Sequence, residues 1–405
     1  GDSAQGRAVR SIQYPGNMVA QEDRLDDGAS WMMKLLRLAL VVASMIVQGA
    51  SCEAESNQTL QRPNMDDLIQ KLGPKSALSV LWAEHSLMEQ TASSSWGEVD
   101  LMSVVARFAE SRGLSHTATN HTLFGSPLSA LWRGKPHGYD RDASEMVAKR
   151  EDFIRNAARY DTLVLTEVVP VAATHATEFT PYYVRLFACA LWQANPEGRV
   201  YLYQTWVHFQ GSHKSDDTLL PEGYDWRAEM TAERTHWDAL AERASSPPVD
   251  APHWLSKLGW HKRSDGGCAD RRPIYLVPVG SALQSLAERL EAPVSGDHFV
   301  WPDSTPFRMI DMVANPIVES ASGSFGDPVG RRARDPSRLA DDIHASLAGI
   351  YFSALVHFAT LYRQTPAGLP YPDEIGEPLA RTLACIAWQT VISDPRSGVL
   401  GEADC

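Results

Sequence analysis

Five short β-like runs alternate with helix-patterned stretches between residues 77 and 392, and this alternation constrains the chain more than any other feature. Strands separated by helical stretches cannot pair as tight hairpins. They need crossovers, and crossovers place helices over both faces of a parallel sheet. The runs fall at 77–82, about 114–119, 162–166, 199–203 and 274–278, and the second is the most polar of the five. Helices are predicted near 99–111, 142–159, 182–193, 282–290, 343–362 and 377–392. In the first of these, Val99, Met102, Val105, Ala106 and Ala109 recur on one face and Gly113 supplies the stop. About seventy residues separate the fourth and fifth runs, against the few residues of an ordinary connection. The insertion, 206–273, holds Trp226, Trp237, Trp254 and Trp260 and the breaker Ser245-Ser246-Pro247-Pro248. It suits either a substrate-binding cap or a helical hairpin whose tryptophans are core.

The N-terminal segment has a different character. Residues 1–31 are polar and lack a hydrophobic period. Lys34 and Arg37 then form a basic region, 38–47 an apolar one, and Gly49-Ala50-Ser51 a small-residue cleavage zone, the pattern of a secretory signal peptide over about 32–54. The apolar run is shorter than the ~20 residues a bilayer-spanning helix needs. Met32, Met33 and Met18 are alternative starts, and Gly49, where lipoprotein signals favour Leu, weighs against a lipid anchor at Cys52. Expected domains are therefore 1–54 as upstream segment and signal, 55–393 as one α/β domain, and 394–405 as tail, in a secreted or periplasmic protein with no integral membrane segment once mature. With 37 Lys+Arg against 50 Asp+Glu the formal charge is −13, which repels phosphate backbones and argues against nucleic acid as a partner. Five cysteines without a CxxC pair are too few for a disulfide scaffold. Cys189 and Cys385 lie in apolar helical settings and read as small hydrophobes, with any pairing left open. Asn57-Gln58-Thr59 and Asn120-His121-Thr122 are glycosylation sequons, meaningful only in a eukaryotic source.

Ligands of an open parallel sheet bind beyond the carboxyl ends of its strands. Ser86 follows the first run in Glu84-His85-Ser86-Leu87, where a nucleophile would be useful, although no flanking glycines make a GxSxG elbow. Far downstream, Asp341-Asp342-Ile343-His344 is expected to open a helix. There an Asp three residues before a His could hold its second ring nitrogen while the other takes a proton from Ser. Ser86, His344 and Asp341 thus form a candidate nucleophile, base and orienter. The rival readings are ordinary helix caps, since Ser and Asp are both preferred at that position. His116 and His121, five apart, match neither a helical turn nor one strand face, which argues against a metal. Trp206 and His208, after the fourth run, fall at the same sheet edge, where an aromatic is usually packing.

With those motifs in hand, the chain resembles the SGNH or GDSL hydrolases over about residues 77–363. His85-Ser86-Leu87 matches their nucleophile block after the first strand. Asp341 and His344 match the final Asp-x-x-His, followed by the small-residue stretch 345–349. The resemblance implies a flavodoxin-like three-layer α/β/α sandwich around a five-stranded parallel sheet, here with a helical insertion. It also implies a serine esterase that needs no cofactor, with an oxyanion hole built from the N–H groups of Ser86 and of Gly125 in Leu123-Phe124-Gly125-Ser126. The family's third block, Gly-x-Asn-Asp, is missing: the third run continues into Thr166-Glu167-Val168-Val169. An ionised Glu only accepts hydrogen bonds and would repel an oxyanion. Either another donor replaces the Asn, with Asn120, Thr166 and Asn315 as candidates, or Glu167 holds a loop, or the chain is inactive. His85, Asn120, Thr166, Glu167 and Trp206 are the expected pocket residues. The implied substrate is a small-molecule or carbohydrate ester with a short acyl group. An acyltransferase with the same triad and a non-catalytic carbohydrate-binding protein are the alternatives.

Overall fold

The computed structural model describes residues 69–83, 85–121, 126–134, 143–209, 225–246, 268, 270–313 and 343–402. These lie in one compact unit that begins near Asn64. Its centre is a parallel sheet of β1 (Ala77–Ala83), β4 (Ser115–Asn120), β5 (Thr162–Leu165), β6 (Arg199–Tyr203) and β7 (Ile274–Val277), in the spatial order β4-β1-β5-β6-β7. All four pairings are parallel. Counting only these five strands in chain order, the arrangement is 2-1-3-4-5, the flavodoxin-like winding. β5, β6 and β7 are buried at nearly every position, as expected of parallel strands covered on both faces. The polar second run is β4, an edge strand with mostly exposed side chains. An edge strand tolerates that composition because it pairs on one side only.

Alternate residues of the strands feed two separate cores. Val80, Trp82, Val164, Tyr201, Tyr203 and Tyr275 pack with α2 (Leu101–Ser111), α8 (Val279–Glu291), α9 (Leu347–Tyr362) and α10 (Glu377–Ser393). Leu81, Ala83, Leu163, Leu165, Leu202 and Leu276 pack with α3 (Leu128–Arg133), α4 (Ala143–Asn156), α5 (Val171–Glu178), α6 (Thr180–Ala194) and α7 (Trp226–Ser245). This is the expected three-layer α/β/α sandwich. A four-residue helix α1 (Ser86–Glu89) and a small antiparallel hairpin, β2 (Ala92–Ser94) with β3 (Gly97–Val99), fill the connection from β1 to α2.

The insertion and the cysteines add two particulars. The described part of the long insertion is mainly α7, which packs on α6, α8 and β7. Its Trp237 is fully buried in the second core, so this helix covers the sheet, as in the reading with core tryptophans. Trp226 rests half-buried against Phe209, and Trp254 and Trp260 lie outside the described residues. Cys189 is more than a small hydrophobe, because it forms a disulfide with Cys268, 79 residues away, tying the far end of the insertion to α6. Cys385 is also disulfide-bonded. No described helix is long and apolar enough to cross a membrane.

Candidate functional site

The carboxyl ends of β1 and β5 border the place where the winding of the sheet reverses, the usual ligand crevice of such folds. The chain leaves β1 through His85, which takes the N-cap position of α1 in extended conformation. Its Nδ1 accepts from the Leu87 N–H at 3.5 Å, and its Nε2 lies 2.9 Å from the Glu167 carbonyl oxygen, to which it donates. That bonding requires a neutral ring with the proton on Nε2. Burial pushes His85 down to about 4; the bond to the Glu167 carbonyl works against that shift, and His344 nearby adds a smaller downward contribution. Because His85 serves as the cap, the Ser86 hydroxyl is not spent on the helix terminus, contrary to the capping alternative for Ser86. Ser86 Oγ instead lies 2.9 Å from His344 Nε2, across 258 residues of sequence. No described group accepts from the Ser86 backbone N–H.

His344 is fastened from both sides. One residue before it, the Ile343 carbonyl accepts from the indole Nε1–H of buried Trp206 at 2.6 Å. One residue after it, Ala345 forms an isolated antiparallel bridge with Val313. Ser346 then donates its N–H to Met312 O at 3.1 Å and its hydroxyl to Asp311 O at 2.6 Å, and it accepts from the Gly349 N–H. Ser346 is the N-cap of α9, so His344 sits on a braced loop rather than in a first helical turn. This corrects the expected helix start at 343 and removes the same-turn argument for pairing Asp341 with His344. A cap hydroxyl and a glycine approaching a neighbouring carbonyl start the helix four residues later, at Leu347. Asp341 and Gly125 lie outside the described residues.

Among the remaining expected pocket residues, Thr166 turns its hydroxyl to Tyr203 O at 2.8 Å and is therefore not an oxyanion donor. Asn120 ends β4 and is exposed, and Asn315 lies outside the described residues. Trp206 is a brace for the His344 loop, where sequence reasoning had offered pocket lining or packing. Glu167 is fully buried. Its carboxylate accepts from the Val168 N–H at 2.9 Å, the Thr180 hydroxyl at 2.8 Å and the Leu128 backbone N–H. Burial raises it to about 7 despite those three donors. His116 is engaged with the Tyr362 hydroxyl at 2.9 Å, and the ring of buried His121 packs edge-on against Phe153.

A hydroxyl hydrogen-bonded to an imidazole at the open edge of a parallel sheet is equipped for nucleophilic attack with proton transfer. No family model and no curated protein matches the chain. In shape it is similar to the crystal structure of a DUF4886 family protein from Bacteroides uniformis, with a TM-score of 0.42 and 14% identity over 78% of this chain and 95% of that one.

Proposed function

We propose that the chain is a serine esterase of SGNH type, divergent in its third block. The observation that carries this reading is the 2.9 Å approach of Ser86 Oγ to His344 Nε2, within the range expected of a nucleophile and its base. Ser86 attacks the acyl carbon of a carboxylic ester while His344 accepts its proton. The imidazolium returns that proton to the leaving alcohol as the tetrahedral intermediate collapses. Water, activated by the same imidazole, then hydrolyses the acyl-enzyme and restores the serine. By resemblance, Asp341 holds the His344 tautomer, and the N–H groups of Ser86 and Gly125 receive the oxyanion. The substrate class is a short acyl ester, acetate on a carbohydrate being the analogue drawn from exported relatives. Export itself is supported by the signal-like segment at 32–54 and by the Cys189–Cys268 disulfide, which suits an oxidising compartment.

Glu167, in place of an oxyanion Asn, favours a second reading: a carbohydrate-binding protein without turnover. Labelling with a fluorophosphonate and hydrolysis of p-nitrophenyl esters of graded chain length separate the two. The esterase should form a Ser86 adduct, and Ser86→Ala should lose at least about 10³-fold in kcat. A folded protein with no adduct and no turnover overturns the esterase.

A further inference from the structure

We propose that Glu167 is a positioning residue that fastens the segment carrying Ser86 to the starts of α3 and α6. The inference rests on the esterase reading. Glu167 lies one residue beyond Thr166, just past the end of β5, and is fully buried. Its main-chain carbonyl receives the His85 Nε2–H, so it holds the residue directly before Ser86. Its carboxylate receives the N–H of Leu128, the first residue of α3. The same carboxylate receives the hydroxyl of Thr180, the first residue of α6, and its own neighbour's N–H from Val168. One side chain and one carbonyl thus join the ends of β1 and β5 with the starts of α3 and α6.

Only a carboxylate fits these donors. It presents two oxygens and about four lone-pair directions, whereas an amide replaces one acceptor oxygen with a donor. An Asn is also a methylene shorter. The nearby Glu178 accepts from the Ser129 hydroxyl and from Arg133, so its carboxylate does not take over the donors held by Glu167. Arg133 and Ser129 belong to α3 and Glu178 to α5, which gives α3 a second tether of the same kind.

The test uses the full chain with Glu167→Gln and the milder Thr180→Val. Misplacing a reacting group by about an ångström can cost about 10²-fold in rate. Glu167→Gln is therefore expected to lower kcat on p-nitrophenyl acetate by about 10- to 100-fold with KM changed less than about twofold. Amide hydrogen exchange should quicken in the peptide around 126–131 while the core of β6 and β7 stays protected. Thr180→Val should act in the same direction with a smaller loss, and it decides the matter if Glu167→Gln does not fold. An unchanged kcat, or a reduced kcat without faster exchange at 126–131, overturns the clamp. If the unaltered protein neither labels nor turns over, the esterase falls. The exchange measurement alone then decides whether Glu167 fastens these segments.

Discussion

His85, Ser86 and Trp206 show how one residue frees or restrains another. A Ser directly after a strand commonly spends its hydroxyl on the orphan N–H groups of the following helix. Here the imidazole of His85 caps α1, and the Ser86 hydroxyl faces His344 instead. Trp206 acts at one remove: its indole N–H bonds the carbonyl next to His344 and fixes where the backbone of that residue runs. Trp206→Phe keeps an aromatic ring but leaves the half-buried Ile343 carbonyl without that donor, a loss of about 0.5–1.5 kcal/mol. We expect kcat to fall about tenfold, with KM nearly unchanged, and the unfolding midpoint to drop in denaturant titration. Unchanged turnover in this variant would mean that the His344 loop holds its place without the indole.

At the scale of elements, the N-terminus of α9 decides where His344 stands. Gly349 approaches so closely that a Cβ there would lie 2.1 Å from the Met312 carbonyl oxygen, a backbone atom that cannot rotate away. That carbonyl also receives the Ser346 N–H, so pushing it off loosens both the cap and the bridge beside His344. Gly349→Ala should therefore destabilise the fold by at least about 1–3 kcal/mol although Ala is the better helix former. Esterase turnover should fall with it, and a variant as stable and active as the parent would show that the 309–313 segment yields freely. Sequence patterning located the five strands to within a residue or two because β-branched and apolar runs bounded by turn residues are hard to mistake. It missed the hairpin 92–99, whose strands have three residues each and hold no period. It also missed α5, where Ala and Thr supply no apolar stripe. Ser86 and His344 were legible from their order along the chain. The brace from Trp206 was not, because it acts through a backbone carbonyl, whose position no side-chain pattern encodes; for Glu167 a loop-holding part was one of the open readings, but its partners were beyond the pattern for the same reason.

For the molecule as a whole, the winding β4-β1-β5-β6-β7 collects groups from distant segments into a site that is largely buried, and burial couples the fold to pH. His85, His121 and His357 are each pushed down to about 4, chiefly by desolvation. A base whose folded value is depressed contributes stability above its ordinary value near 6.5 and loses it as pH falls toward 4. Glu167 works in the opposite sense. Its folded value of about 7 lies above the ordinary 4.5, so its contribution is full below pH 4.5 and is lost as pH rises through 7. His116 and His175 are lowered in the same way and Glu233 is raised like Glu167, so with five histidines against two carboxyls the parent protein should lose stability on acidification from pH 7 to 4.5, and Glu167 should soften that loss. Glu167→Gln removes the softening while leaving the histidines in place. The free-energy difference between variant and parent should therefore move in the variant's favour as pH rises from about 4.5 to 8.5, by up to about 3 kcal/mol for a shift of this size. The bonds that Gln cannot accept add a constant offset that does not depend on pH, so the slope alone reports the carboxyl. Urea titrations across that range measure it, and parallel curves for the two proteins would show that Glu167 titrates as an ordinary exposed carboxylate does.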